Sequence, residues 1–150
     1  MCIGDSLYRG YPIEDLAEHG DMADCAHLLI RGVLPTRRQR REFQREVRAH
    51  RLVHEHLIRF FHGFNHDAHP MAILVSVVGA LSAFYNDDHD YTDPATRDLA
   101  GMRCVGKMPT LAAYAYKTAH GQPIVYPRDD LNMASNFMCE CLFLFSYCLP

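Results

Sequence analysis

Residues 70–85 read PMAILVSVVGALSAFY, a run without a single charged side chain. The run is interrupted by Ser76, Gly79 and Ser82, and it is shorter than the roughly 20 apolar residues with which a helix crosses a bilayer. Pro70 suits the first turn of a helix, where its missing N–H is not needed. We therefore predict a core helix over 70–85 that other helices surround.

In the rest of the chain, the positions of proline and glycine are typical of a helical protein. Proline and glycine fall between segments with helical apolar spacing, and no alternating run rich in Val, Ile and Thr separates turn signals. Asp21, Thr36 and Asp93 are candidate N-caps, since their side-chain oxygens can accept from the free N–H groups of a first turn. Pro109 is expected to break a helix. The predicted fold class is all-α and multi-helical, with helices at 13–18, 22–31, 37–62, 70–85, 94–106 and 110–119, and a last helix capped by Asp130.

The composition is that of a folded domain. The chain has 150 residues, of which 49% are hydrophobic and 22% charged, and this argues against disordered, collagen-like and coiled-coil classes. Its net charge of -3 argues against nucleic-acid binding. No secretory signal is visible and the six cysteines form no C-x-x-C pair, so we expect a cytoplasmic protein with reduced thiols and no membrane association.

Arginines are concentrated in the first half of the predicted helix 37–62. Glu42 and Glu46 lie at spacings that allow ion pairs with arginines one turn away. Charge runs of this kind are usually solvated helix faces, and we interpret this one so. The arginines of the run are Arg37, Arg38, Arg40, Arg41, Arg45, Arg48 and Arg51.

Six of the ten histidines fall within residues 50–69. The pairs His50/His54 and His62/His66 have the four-residue spacing that would present two imidazoles to one metal ion on a helix face. The sequence H-E-H at 54–56 is not the H-E-x-x-H pattern of zinc proteases. We predict no metal site, and a histidine-rich metal-binding module stays open as an alternative.

Motifs of the common enzyme classes are absent from the 150 residues. The chain has no glycine-rich phosphate loop, no G-x-S-x-G nucleophile elbow and no paired catalytic carboxylate motif. A cysteine nucleophile needs a histidine beside it in space, which a sequence does not reveal. The residues by themselves therefore indicate a helical domain and identify no catalytic group.

The last fourteen residues differ in composition from the rest. Residues 137–150 hold three of the six cysteines, three phenylalanines and three leucines around one charge at Glu140. A helix of this composition has no polar face for water. We predict a helical domain at 1–137 and an aberrant, apolar, cysteine-rich tail at 138–150, which is either deeply buried in something absent here or is not native coding sequence.

Four strings of sequence resemble one enzyme family and occur in that family's order. The segment GALSAFY at 79–85 matches as well, so the resemblance covers about residues 7–138. The family is citrate synthase, most closely its bacterial hexameric (type II) form. The strings are LYRGYPIE at 7–14, DAHPM at 67–71, KMPTLAAY at 107–114 and GQPIVYPRDDL at 121–131.

The resemblance implies a segment of the helical large domain of a homo-oligomeric acyltransferase. That enzyme condenses acetyl-CoA with oxaloacetate and water to citrate and CoA in the tricarboxylic acid cycle. Its two catalytic histidines and its aspartate act as general acids and bases, and its H-x-D-H-E and G-x-x-H-G-G motifs are missing from this chain. We therefore expect a truncated segment, inactive alone, without a catalytic residue or a cofactor of its own. The alternative is a non-catalytic helical partner that co-assembles with intact synthase subunits.

One further property implied by the resemblance is allosteric. Type II enzymes of some bacteria bind NADH as an inhibitor, and arginine and lysine suit its phosphates. Three neighbouring positions, Ala49, Arg51 and Leu52, depart from the family pattern of that site. The positions that match a candidate NADH site are His50, Tyr85, Arg103 and Lys107.

Overall fold

The computed structural model describes residues 6–85 and 92–142, and most of these are helical. A two-stranded antiparallel hairpin, β1 (Leu7–Tyr8) and β2 (Tyr11–Pro12), precedes the helices. The predicted all-α class is confirmed. The helices of the described ranges are α1 (Ile13–His19), α2 (Met22–Arg31), α3 (Arg37–Ala49), α4 (Glu55–Phe61), α5 (Pro70–Leu81), α6 (Pro94–Ala119) and α7 (Met133–Leu142).

The predicted N-caps of three helices are confirmed. The Asp21 carboxylate accepts from the first turn of α2, Thr36 forms a capping box with Gln39 on α3, and the Asp93 carboxylate caps α6. Such caps satisfy N–H groups that the helix itself leaves without partners. The predicted cap of the last helix is wrong, because the side chain of Asn132, and not of Asp130, accepts from the N–H of Ser135 in the first turn of α7.

The long helix predicted over 37–62 is two helices, because the backbone breaks between His50 and His54. The break is held by side chains distant in sequence. Lys107 Nζ donates to the main-chain oxygens of His50 and Leu52, while His54 caps the new helix by accepting from the N–H of His56. Carbonyls that lose their helical donors are thereby satisfied by tertiary contacts.

The helix break predicted at Pro109 is also wrong. Helix α6 runs without interruption from Pro94 to Ala119 and contains Pro109. A proline inside a helix costs about 3 kcal/mol through the lost N–H and a clash with the preceding turn. Here both halves of α6 are buried against neighbouring helices, with Met102 before the proline and Leu111 after it. This burial outweighs the local preference for a break.

Helix α6 is the centre of the molecule and packs against α2, α3, α4, α5 and α7. One apolar cluster joins α4, α5 and the second half of α6, around the fully buried Phe61, Ile73 and Leu111. A second cluster joins α2, α3 and the first half of α6, around Phe43. The two clusters thus bury both halves of α6 against its neighbours.

Helix α5 buries only one of its faces, contrary to the prediction that other helices surround it. Ile73 and Val77 are fully buried, while the side chains of Met71 and Val75 are 56% and 69% exposed. No helix in the described ranges is long and apolar enough to span a membrane. An apolar helix thus lies at the surface of this chain.

Helix α7 continues through Phe137 to Leu142, across the predicted start of the tail at residue 138. Glu140 is buried there and accepts from the hydroxyl of Thr110. Cys139 is disulfide-bonded, which differs from the expected reduced thiols, whereas Cys25, Cys104 and Cys141 are free. The predicted tail residues 143–150 lie outside the described residues, so the division at 138 stays a prediction.

Candidate functional site

A cavity of about 230 Å³ lies where the end of α5 meets the first half of α6. Its aliphatic lining comes from Val78 and Leu81 of α5 and from Ala100 of α6. None of the described residues that line it is acidic. Its polar and aromatic groups come from Ser82, Tyr85, Thr96, Arg103, Cys104 and Lys107.

Two helices place these groups opposite each other. Thr96, Arg103 and Lys107 share one face of α6, because their spacings of seven and four residues are close to whole turns of about 3.6 residues. A 3-10 turn, Ser82–Phe84, continues α5 and brings Tyr85 to the facing wall. The cavity therefore has an aromatic wall and a cationic one.

Both cations lie over the ring of Tyr85. The guanidinium carbon of Arg103 is 4.6 Å from the ring centroid, and Lys107 Nζ is 5.5 Å from it. A cation over an aromatic face gains about 0.5–2 kcal/mol, more where water is excluded. Tyr85 is thereby fixed against α6, although it follows the last turn of the preceding helix.

Lys107 is the buried charge of the site, since only 4% of the residue is exposed. Its Nζ donates to the main-chain oxygen of His50 at 2.8 Å and to that of Leu52. An ammonium carries three donors, so these two carbonyls leave a third. A positive charge is therefore held at the cavity wall in a fixed position.

His50 lies behind this wall and does not line the cavity. It ends α3, and its main-chain oxygen meets Lys107. Burial, followed by the charges of Lys107 and Arg103, lowers the pKa of the His50 imidazole, and Glu46 opposes this effect. The environment of His50 therefore favours the neutral imidazole.

The arrangement is suited to an anion that carries a flat ring. Two cations at one cavity attract a phosphate or a carboxylate, and an arginine such as Arg103 can bind either with two parallel hydrogen bonds. The cavity is smaller than the roughly 300–1,000 Å³ of most ligand pockets. It therefore has room for part of a dinucleotide, such as one phosphate with its nucleoside.

The structure brings together three of the four residues named from the sequence, and it adds others. Ser82, Thr96 and Cys104 line the cavity and were not identified from the sequence. Thr96 could have been found by counting whole helical turns back from Lys107 along α6. Ser82 had no such signal, because its place depends on how α5 packs against α6.

Arg51, which departs from the family pattern, is a structural residue in this chain. It is 4% exposed, and its Nη1 donates to the main-chain oxygens of Arg128 at 2.8 Å and Leu131 at 2.9 Å. The side chain thus ties the start of the α3–α4 break to the loop before α7. Ala49 and Leu52 are exposed beside it.

The histidine pairs do not form a metal site in the described residues. His50 ends α3 and His54 begins α4, so the pair is not on one helix face, while His66 Nδ1 lies 3.2 Å from the main-chain oxygen of Thr118. Within 6–85 and 92–142, no three His, Cys, Asp or Glu side chains are grouped so that they could hold a metal ion. The cavity at Tyr85 is therefore the site that the chemistry favours.

Comparison with known proteins identifies the fold. The family described as citrate synthase, C-terminal domain, matches residues 3–143. Citrate synthase from Pyrobaculum aerophilum is 29% identical with a TM-score of 0.77, over 89% of this chain and 35% of that one. Citrate synthase from Thermotoga maritima is 26% identical with a TM-score of 0.75, over 92% of this chain and 35% of that one.

A third solved structure agrees in fold. It is citrate synthase from Thermoplasma acidophilum in a ternary complex with carboxymethyl coenzyme A and oxaloacetate, 21% identical with a TM-score of 0.77 over 89% of this chain. This chain spans 35% of the length of each of the three structures.

Proposed function

Because this chain belongs to the citrate synthase family, we propose that it is a segment of the large domain of a bacterial hexameric (type II) subunit, and that it holds the subunit's NADH-responsive site. The complete enzyme would condense acetyl-CoA with oxaloacetate and water to citrate and CoA. The role of these residues is then regulatory and structural, in a cytoplasmic homo-oligomer.

One observation carries the regulatory part of this proposal. Arg103 and Lys107 on α6 meet the ring of Tyr85, and Lys107 is anchored on the backbone of His50. These are the four residues that the resemblance marks as the NADH site. The cavity beside them supplies cations for phosphate and a ring for stacking.

A titration followed by NADH fluorescence tests this binding. We expect saturable binding to the chain, and Arg103→Gln should weaken it about tenfold by removing the guanidinium that faces the cavity. Arg97→Gln is the matched control, because Arg97 is exposed on the same helix and does not line the cavity. Equal binding by all three proteins would refute the proposed site.

The residues of this chain do not supply the condensation chemistry by themselves. Neither H-x-D-H-E nor G-x-x-H-G-G occurs among the 150 residues, and enolisation of a thioester needs a base together with a donor to its carbonyl oxygen. We expect no turnover when the chain is mixed with acetyl-CoA and oxaloacetate. Loss of thioester absorbance above the rate without protein would contradict this, and an intact citrate synthase serves as the positive control.

A second candidate function is association with intact synthase subunits as a non-catalytic partner. The exposed apolar face of α5, centred on Val75, favours it, because a face of this kind is usually covered by another protein. Co-expression with an intact type II synthase tests it through co-purification on a tag carried by the synthase. A chain that stays separate and monomeric would exclude this role.

A further inference from the structure

The outward face of α3 carries a stripe of arginines. Arg37, Arg41 and Arg45 are exposed and Arg48 is half-buried. Since a helix turns about 100° per residue, these four side chains leave the axis within an arc of about 80°. They span about 16 Å along the helix. We call this set the arginine stripe.

The arginine stripe has little counter-charge: Arg38 mainly, and Arg45 more weakly, lower the pKa of Glu42, and Arg37 lines a cavity with Asp15. Within residues 6–85 and 92–142, none of its four side chains makes a hydrogen bond or an ion pair. Arginines nearby are paired: Arg38 with Glu42 at 2.9 Å, and Arg40 with Asp21. The arginines of α3 that have no such pair within the described residues therefore all lie on one face of that helix.

Helix stability does not explain the arginine stripe. Like charges four residues apart, as at Arg37/Arg41 and Arg41/Arg45, repel each other and destabilise a helix. Arg37 also stands in the first turn, where the helix dipole disfavours a cation, and no acidic residue balances it there. A solvated face would be equally well served by mixed charges.

A membrane surface does not fit this helix. Basic amphipathic helices bind membranes by inserting their apolar face. The apolar residues of α3, Phe43 and Val47, are 0% and 3% exposed because they form the core with α6. On α3, it is therefore the charged side chains that a partner can reach.

A long nucleic acid does not fit either. Arg37 and Asp15 line the same surface cavity, and Glu14 and Glu18 are exposed on the same short helix as Asp15. A polyanion that continued past Arg37 would meet these carboxylates. The surface therefore suits an anion no longer than the arginine stripe.

We propose that the arginine stripe binds a short acidic segment of another protein, with carboxylates that pair with Arg37, Arg41 and Arg45. Arginines one turn apart on α3 are about 6 Å apart along the axis. Carboxylates four residues apart on a helix, or two apart on an extended chain, repeat at a similar distance. Each pair can then form the two parallel hydrogen bonds of an arginine with a carboxylate. This inference is independent of the NADH site.

Fluorescence anisotropy with a labelled peptide that carries glutamate at every fourth position tests the proposal. The test variant is Arg41→Gln with Arg45→Gln. The matched control is Arg59→Gln with Arg97→Gln, which removes the same charge from exposed arginines on α4 and α6. We expect saturable binding that the test variant weakens about tenfold and the control leaves within about twofold.

Three results would overturn the proposal. The first is no saturable binding at low salt. The second is equal weakening by the two double variants, since binding would then follow net charge alone. The third is tighter binding of a single-stranded oligonucleotide of equal charge at the same salt concentration, which would assign the surface to phosphates. Thermal unfolding of each variant verifies that the fold is kept, because all four positions are exposed.

Discussion

Among single residues, Lys107 links the cavity wall to the main chain between α3 and α4. Its ammonium satisfies the carbonyls of His50 and Leu52 at the break between α3 and α4. Lys107→Met should lower the free energy of unfolding by about 1–3 kcal/mol, because those carbonyls lose a charged donor. Arg97→Gln, at an exposed position of the same helix, should change it by less than about 0.5 kcal/mol. Urea unfolding measures both, and equal losses would contradict the anchoring role of Lys107.

Glu140 is the residue that gives the protein a distinctive pH dependence. Burial raises its pKa, against the hydrogen bonds from Thr110 and Asn136 and the charge of Arg51. The unfolded chain therefore loses this proton at a lower pH than the folded one. As the pH rises above the ordinary glutamate value of about 4.5, the free energy of unfolding falls until the native carboxyl ionises as well.

The substitution Glu140→Gln should remove this pH-dependent loss of stability. We expect the variant to be more stable than the parent near pH 7 and the difference to shrink towards pH 4, since the parent carboxyl is then protonated in both states. Urea unfolding at the two pH values measures it. Glu18→Gln, at an exposed position, is the control. A difference that is constant with pH would show that ionisation of Glu140 is not its cause.

At the scale of the element, the sequence was informative where the signal was local. Asp21, Thr36 and Asp93 cap their helices as predicted, because the cap and the N–H groups that it satisfies lie within three residues. The break after α3 was not predicted because contacts distant in sequence hold it. Lys107 on α6 donates to the main-chain oxygen of Leu52, and Arg51, within the break, donates to that of Arg128. Contacts over such separations leave no pattern in a single sequence.

The uninterrupted course of α6 through Pro109 leads to a prediction about stability. Pro109→Ala restores an N–H that can donate to the main-chain oxygen of Val105, so it should raise the free energy of unfolding by about 1–3 kcal/mol. Pro94→Ala, at the first position of the same helix, should change it by less than about 0.5 kcal/mol. Urea midpoints of the two variants are compared. A destabilised Pro109→Ala would mean that α6 depends on the shape that the proline gives it.

In the candidate site, too, the sequence predicts the residues that share one helix and does not predict those that packing brings to it. Arg103 and Lys107 were named from a resemblance, and their four-residue spacing on α6 places both on one wall. His50 was named with them, yet it supports Lys107 from behind through its main-chain oxygen. Helical spacing along one element is visible in a sequence, whereas the packing that seats His50 behind α6 is not.

At the scale of the whole molecule, α5 is an apolar helix with one covered face. Met71 and Val75 are exposed on the other face, and exposed apolar surface of this kind favours association. We expect the chain to self-associate with rising concentration, as measured by light scattering after size exclusion. Val75→Glu should shift it towards the monomer, and Glu18→Gln should not. A parent chain that is monomeric at all concentrations would contradict this.

In the whole molecule, the proposed NADH site is formed by Tyr85, Arg103 and Lys107, within a chain of the citrate synthase family. Hydrogen exchange by mass spectrometry, with and without NADH, tests it most directly. We expect added protection in peptides covering 78–85 and 96–107, and none in 37–48, where the arginine stripe lies. Protection confined to 37–48, or none anywhere, would contradict it.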